Sequence, residues 1–283
     1  MKPAAFAYVR PDTVGEALSA LARYGADGRV IAGGQSLGAM LNMRLVRPIA
    51  VIDINRLNEL SAISLNQRTL TTGALVRQAD ALADARVRAE VPLLTQALPH
   101  VGHYQTRNRG TLGGSVAHAD PSAEIPLVLA TLGGEVELQS RRGRRLLSAS
   151  AFFKSALITA REGDELITAL HWPRATPSMR FSFCEFAVRE GDYAIVAVAC
   201  AIDGAKGSVR LGFGGCGGAP QIREIAYRSN GGETGTGAIA QEAAAAIDCP
   251  SDLLASADYR RQLAVVLARQ ALAAASTQGG GDA

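Results

Sequence analysis

The sequence has few of the residues from which metal centres and nucleophilic sites are built. Its four cysteines, Cys184, Cys200, Cys216 and Cys249, form no CxxC or CxH pair. That removes a structural zinc ligand set and iron–sulfur ligation from the expectations, and leaves free, mostly buried thiols. The four histidines, His100, His103, His118 and His171, offer one useful spacing, the i, i+3 pair His100 and His103. No E-x-x-H partner strengthens that pair, so solvent-facing or capping roles are expected. Ser115 belongs to no G-x-S-x-G elbow, and no base is placed near it, so a hydrolytic site is not supported. No apolar run approaches the ~18 residues of a membrane span. The N-terminal MKPAAFAYVRP lacks the apolar core of a secretion signal, which points to the cytoplasm. A strong excess of one charge is missing too: the formal net charge of +3 is small and dispersed, and does not indicate nucleic acid. The densest basic run, Arg141, Arg142, Arg144 and Arg145 around Gly143, reads as the solvated turn of a hairpin, with a charged docking patch as the alternative.

What is present is a globular composition, 48% hydrophobic and 19% charged over 283 residues, with length for two domains. Within it stand two glycine motifs. Residues 106–124 read TRNRGTLGGSVAHADPSAE, with Gly113 and Gly114 side by side and Gly110 just upstream. Residues 30–38 read VIAGGQSLG, where Gly33 and Gly34 precede Gln35 and Ser36. Glycine lets backbone run close to a ligand and adopt positive φ, which presents successive N–H groups to an anion. Hydroxyls at Thr111 and Ser115 would add donors. Alone, either motif reads equally as a Gly-Gly turn between core segments. Repeated in one chain, the pattern suits a ligand with two phosphates, each cradled by backbone donors.

In chain order, PDTVGEALSALARYG predicts an amphipathic helix with a capping box at Thr13 and Glu16 and a C-terminal Gly25. A short strand, 29–32, leads into the first glycine motif. Residues 37–45 suit a helical turn or two, and AVIDI at 50–54 suits a buried strand. This first lobe, about 1–55, alternates helix and strand. From Ser61, AISL and TLTTGA predict a hairpin, ALVRQADALADARV one helix, and PLLTQALPHVG another with Pro92 in its first turn. After the second motif, PLVLATLG reads as a helix from Pro126, GEVELQS and RRLLS as a hairpin, and ELITALHWP as an edge or final strand. That second lobe covers about 56–175, and a ligand clamped between the lobes is the natural arrangement. A Pro/Ser linker follows. FSFCEFAV, IVAVACAI and SVRLGFGG then predict strands, GGCGGAP a structural turn, and SADYRRQLAVVLARQALAAA a closing helix with Leu263, Val266, Leu267 and Gln270 on one side. The tail TQGGGDA is expected to fray.

Together, AGGQSLGAMLNMRL and TRNRGTLGGSVAHADP resemble the FAD-binding medium subunit of the molybdenum hydroxylases, the xanthine dehydrogenase and carbon monoxide dehydrogenase family. The resemblance extends over nearly the whole chain. It implies an α+β fold: a two-lobed FAD-binding domain of the vanillyl-alcohol-oxidase/PCMH type over 1–175, and a smaller C-terminal α+β domain, an antiparallel sheet with helices, over 177–283. It implies non-covalent FAD, with Ala32, Gly33, Gly34, Gln35 and Ser36 holding one part of the pyrophosphate. Thr111, Gly113, Gly114 and Ser115 would hold the other, with Gly110 permitting close approach and Gly102 a further contact. Glu124 falls where the family places a carboxylate near ribityl or ribose hydroxyls, and an acceptor-only side chain suits that role; capping of the helix near Pro126 is the competing reading. Ile167 falls against the flavin. The segment GDYA places Asp192 and Tyr193 near the isoalloxazine ring, although a core tyrosine remains the alternative for Tyr193. Just upstream the sequence departs from the family pattern: Glu185, Ala187 and Val188 replace basic residues and leave only Arg189.

The resemblance further implies a role as the electron-transferring subunit of a three-subunit oxidoreductase. A large subunit would carry the molybdenum cofactor, a small one two [2Fe–2S] clusters, and the whole would be a dimer of heterotrimers, a cytoplasmic heterohexamer. Catalytic residues and metal ligands are not expected on this chain. Two other classes stay open at this level: a self-sufficient FAD-dependent oxidase of the same fold, and a non-catalytic nucleotide-binding module. Substrate and final electron acceptor are not legible, since substrate contacts would lie on the large subunit.

Overall fold

The capping pattern at Thr13 and Glu16 does start a helix. The computed structural model describes residues 2–228 and 232–277, and in it the Thr13 hydroxyl accepts from the Glu16 amide at 3.1 Å. The Glu16 carboxylate returns one residue earlier than a capping box would, to the Asp12 amide at 2.8 Å. In chain order the first lobe comprises β1 (Ala7–Val9), α1 (Val14–Tyr24), β2 (Gly28–Ile31), α2 (Leu37–Asn42) and β3 (Ala50–Asp53). Its three strands form a parallel sheet of order β1-β3-β2. Val14, Ala17, Leu18 and Leu21 form the buried stripe of α1 and pack with Ile52, Ile54, Leu57 and Leu60. Each such aliphatic side chain contributes about 1.5–3 kcal/mol on burial.

The second lobe opens with β4 (Ile63–Leu65) and β5 (Thr69–Gly73), the expected hairpin. Then come α3 (Gln78–Ala83), α4 (Ala85–Glu90), α5 (Pro92–Ala97), α6 (Tyr104–Arg109), α7 (Leu112–His118) and α8 (Glu124–Leu132). The single helix expected over ALVRQADALADARV is instead a turn followed by α3 and α4. Asp84 divides them, because its carboxylate accepts from the Arg86 and Val87 amides and so starts a new helix. β6 (Glu135–Ser140) and β7 (Gly143–Ser148) form the expected second hairpin. In its turn, Arg142 pairs with Glu162 and Asp164, and Arg145 with Glu165. After α9 (Ala149–Phe152), β8 (Phe153–Ser155) and β9 (Ile158–Thr159) comes β10 (Leu166–Pro173).

Of the two positions expected for β10, it takes that of final strand of the lobe and not that of an edge. The sheet order is β4-β5-β10-β6-β7, so β10 is central, with both neighbours antiparallel. Its proline is its last residue, where no interior ladder bond is lost. Trp172 is fully buried there, and its indole N–H donates to Thr72 Oγ1 at 3.0 Å.

The third unit is an antiparallel sheet of β11 (Met179–Phe186), β12 (Val196–Asp203), β13 (Ser208–Gly214) and β14 (Gln221–Ala226), in that order, followed by α10 (Gly232–Ala245) and α11 (Ala257–Thr277). Neither β14 nor α10 is expected from the sequence. The buried face of α11 also differs from the expectation: Val266 and Gln270 are exposed and Leu263 is half-buried. Arg260, Ala264, Leu267, Ala268, Ala271, Leu272 and Ala275 turn inward. Alanines dominate because they let the helix lie close on the sheet, on the face of Val196, Val198, Cys200 and Ile202. Every residue of β12 is buried, since α8 covers its opposite face. α8 is accordingly apolar all round, and it belongs to the cores of both the second lobe and the third unit. The tail expected to fray lies, beyond Thr277, outside the described residues.

Arg260 anchors the closing helix. Its guanidinium is 3% exposed and donates to the Ile195 and Gly215 carbonyls at 2.5 and 2.9 Å, and to Asp252 Oδ2 at 2.6 Å. Those donations, led by the Arg260 bond and joined by the Leu254 and Ala255 amides, hold the Asp252 carboxyl down at about 2. The pair therefore contributes fully above the unfolded carboxyl range near pH 4, and is lost as pH falls through about 2. Arg260→Ala is expected to lower unfolding stability by about 3–5 kcal/mol, read by urea denaturation. Arg260→Lys should recover less than half, since one ammonium does not span three acceptors. An unchanged urea midpoint in Arg260→Ala would show the anchor to be dispensable.

Candidate functional site

The stretch 106–124 folds as short helices and turns, not as an open loop. Thr111 is the N-cap of α7, and its hydroxyl accepts from the Gly114 amide at 3.0 Å. Gly113 and Gly114 therefore occupy the first helical turn, and neither has positive φ. Glycine is required at 113 by packing: a Cβ there would stand 2.6 Å from the Ala74 carbonyl oxygen. The amides are used inside the fold, Leu112 donating to Val76 at 2.9 Å, Gly113 to Ala74 at 3.1 Å and Ser115 to Thr111 at 3.1 Å. The row of free backbone donors expected here is thus absent. The hydroxyl hydrogens of Thr111 and Ser115 and the Thr111 amide are among the donors that this stretch retains.

The first motif has the backbone form expected of it. Gly34 has a φ of 74°, and the amides of Gly33, Gly34, Gln35 and Ser36 have no acceptor among the described residues. These consecutive free N–H groups lie between β2 and α2, the arrangement that anion-binding concavities use.

The two motifs meet backbone to backbone. A Cβ on Gly33 would lie 2.2 Å from the Arg109 carbonyl oxygen and 2.9 Å from Gly110 Cα. One arginine and one asparagine hold this approach. Arg77 donates to the Arg109 carbonyl at 2.5 Å and to Asn55 Oδ1 at 2.7 Å. Asn55 in turn donates to the Ala32 carbonyl at 2.8 Å and to Asp53 Oδ1 at 2.6 Å. Asp53 also accepts from the Tyr8 hydroxyl on β1.

Between the lobes and the start of the third unit lies a cavity of about 830 Å³, inside the ~300–1,000 Å³ usual for cofactor sites. All the residues named by the resemblance line it: Ala32, Gly33, Gly34, Gln35, Ser36, Gly102, Gly110, Thr111, Gly113, Gly114, Ser115, Glu124, Ile167, Asp192 and Tyr193. Ile167 is buried in the wall. Tyr193 is 59% exposed at the mouth, so the core-tyrosine alternative is excluded. Glu124, 6% exposed, is the first residue of α8, and the helix starts there and not at Pro126. Its carboxyl is pushed up to about 8, by burial first and then by Glu185 and Asp120, with its own amide and His100 opposing.

Three features of the site were not expected. Gln78 lines the cavity at 5% exposure with Oε1 buried and unpartnered among the described residues. Its signal was a polar residue on the buried side of a helical stretch. Asn55 and Arg77 carry no motif and act by joining segments distant in sequence. His100 is not simply solvent-facing: Nδ1 lies 3.2 Å from Glu185 Oε1, and the ring packs on Phe183 with centroids 5.3 Å apart. The Glu185 hydrogen bond raises its pKa against the opposition of burial. Among the described residues, no His/Cys/Asp/Glu group is placed to hold a metal ion, and no helix is long and apolar enough to cross a membrane.

A family model described as the FAD binding domain in molybdopterin dehydrogenase matches residues 4–175, and one described as the CO dehydrogenase flavoprotein C-terminal domain matches residues 181–275. Caffeine dehydrogenase subunit beta of Pseudomonas sp. (strain CBB1) is 39% identical over 195 residues, which are 69% of this chain and 66% of that one. The medium chain of glyceraldehyde dehydrogenase from Sulfolobus acidocaldarius is 36% identical across 96% of this chain and 98% of its own. Among solved structures, carbon monoxide dehydrogenase from Hydrogenophaga pseudoflava superposes with a TM-score of 0.92 at 29% identity, covering 98% of this chain and 99% of that one.

The Arg77–Asn55 bridge makes a testable unit. Arg77→Ala is expected to cost about 1.5–3 kcal/mol of stability, the range for charged hydrogen bonds, and Asn55→Ala a similar amount. The double variant should cost less than the sum, with a coupling above about 0.5 kcal/mol. Urea denaturation of the four proteins gives the cycle, and strict additivity would separate the two residues.

Proposed function

Because the chain belongs to the FAD-binding family of molybdopterin dehydrogenases and is the flavin-carrying subunit of an oxidoreductase, we propose that it passes electrons from [2Fe–2S] clusters on a small partner subunit to an external acceptor. A large partner subunit carries the molybdenum cofactor on this reading, and the assembly is a cytoplasmic dimer of heterotrimers. The chain divides into a flavin domain over 1–175, with lobes at about 1–55 and 56–175, and a C-terminal domain over 177–283. One observation carries the reading: residues from both glycine motifs, α8, β10 and the Asp192–Tyr193 segment converge on one cavity of cofactor size.

FAD fits the residues present. The free amides from Gly33 to Ser36 suit one phosphate, and the Thr111 and Ser115 hydroxyls the other. The unpartnered Oε1 of Gln78 suits a donor on the ligand, and Glu124 suits a ribityl or ribose hydroxyl. Ile167 offers an apolar wall, and Tyr193 at the mouth covers one face of the ring and limits access. When bound, FAD supplies reversible electron acceptance that no amino-acid side chain here provides. The protein's part is to hold the ring, keep water from the buried end and set the electrostatics around it.

Purification of the chain with its associated subunits, followed by flavin, molybdenum and iron analysis, tests the assembly. Co-purification of a large and a small subunit with all three cofactors is the expected result. Robust substrate oxidation by the isolated chain without metals would favour a self-sufficient oxidase instead. Tyr193→Ala is expected to leave stability within about 0.5–1 kcal/mol, as at other exposed positions, while the fluorescence and reoxidation rate of bound flavin change. An altered midpoint with unaltered flavin properties would remove Tyr193 from the site.

A further inference from the structure

The hairpin of β8 and β9 turns through Ala156 and Leu157, with Ser155 paired to Ile158 across it. Leu157 has a φ of 59°, while Ala156 keeps a negative one. A turn with positive φ at its second central residue takes glycine or asparagine there, because a Cβ in the left-handed region crowds the following carbonyl. A bulky leucine in that place is a strained outlier, of the kind that clusters at ligand sites. The free fold gains little from it. Leu157 is 53% exposed and Ile158 beside it 57%, and neither joins the apolar clusters of the core.

Backbone contacts fix this turn at the cavity. The Leu157 amide donates to the Ala119 carbonyl, at the end of α7, at 3.0 Å. Two residues on, the Pro121 carbonyl accepts from the Gly215 amide at 2.8 Å. Gly215 in turn lies on the chain beside Tyr193: a Cβ there would collide with the Ile195 carbonyl oxygen and stand 3.2 Å from that of Ala194. A Cβ on Gly218 would stand 3.2 Å from the Ala156 amide nitrogen. The leucine turn, residues 119–121 and the segment that carries Tyr193 thus form one packed stretch of backbone. Leu157, Ile158 and Tyr193 all line the cavity. Leu157 and Tyr193, each more than half open, offer apolar surface at the same end of it.

We propose that Leu157 is a flavin contact: its side chain lies on the isoalloxazine ring at the cavity mouth, and the strained turn persists because glycine and asparagine, which would relax it, offer the ring no apolar surface. The proposal rests on the flavin reading of the cavity. Bound flavin covers a leucine that water otherwise meets, so its burial contributes to affinity and not to the stability of the free chain. Stability and cofactor binding therefore separate at this one position.

The test titrates FAD into the full-length chain stripped of flavin, reading flavin fluorescence and the absorption band of the bound flavin, with urea denaturation of the free chain beside it. Leu157→Gly is expected to keep or raise the urea midpoint and to weaken FAD about tenfold, the loss of one covered aliphatic side chain. Its bound-flavin band should move toward that of flavin in water. Leu157→Asn, which also accepts the left-handed backbone, should lose affinity alike, and Leu157→Met should stay within about threefold of wild type. Unchanged affinity and band in Leu157→Gly overturn the proposal, and loss of partner subunits from that same variant on co-purification would assign the leucine to a protein interface. Weakened affinity with an unmoved band overturns it too, since the side chain then shapes the cavity without touching the ring. Should Leu157→Gly not fold, the contrast between Leu157→Asn and Leu157→Met decides in the same way. A wild-type chain that takes up no FAD overturns the flavin reading as well, whereas uptake indifferent to these substitutions overturns this proposal alone.

Discussion

The Arg77 guanidinium is the point on which the rest of the site depends. It spans from the Arg109 carbonyl, just before the second motif, to Asn55, which holds the Ala32 carbonyl just before the first. That bridge works beside the apolar cluster that the lobes share, in which Val14, Leu18 and Leu21 meet Leu60, Leu75 and Leu166. With it, Gly33 seats against Arg109 and Gly110, and the unpaired amides of the first motif come to rest across from the Thr111 cap. A charged, multiply bonded side chain suits this task, because it serves the Arg109 carbonyl and the Asn55 amide oxygen at once.

α8 fixes the third wall. Its residues are buried on every side because the sheet containing β10 covers one face and β12 and β13 cover the other. A helix so enclosed cannot rotate without breaking two cores at once. Glu124, at its first turn, is therefore held against the cavity with the same rigidity, and its burial governs its protonation. The Asp192–Tyr193 segment, between β11 and β12, reaches the cavity from the unit that α8 joins to the second lobe.

The sequence carries the site's membership better than its mechanism. Strong periodicity made α1, the β4–β5 and β6–β7 hairpins and the core strands β11 to β13 readable. The glycine motifs pointed to residues that share one cavity. What escaped has physical causes. Gly113 and Gly114 look alike to Gly33 and Gly34, yet they serve close packing inside a helix, since the Thr111 hydroxyl three positions earlier captures the Gly114 amide. Asp84 splits a continuous helical pattern through a local cap. Asn55, Arg77 and Gln78 belong to no motif, because their partners are supplied by tertiary folding. β10 read as an edge or final strand from its proline; it is the final strand of its lobe, and a terminal proline is compatible with its central place in the sheet. In α11 the expected aliphatic face gave way to alanines, where small size sets how closely the helix lies on the sheet.

The exposed strand β7 has a consequence of another kind. It closes one side of the five-stranded sheet, and nearly every residue along it is open to solvent. Such a margin offers unpaired peptide groups to any passing chain and invites intermolecular strand addition. Arg144 and Arg145 sit on that margin, Arg145 fastened to Glu165 and Arg144 near Glu137, with Arg142 at the turn tied to Glu162 and Asp164. The basic run that first reads as an ordinary turn thus also lays charge along that margin, an arrangement that disfavours the addition of one more strand.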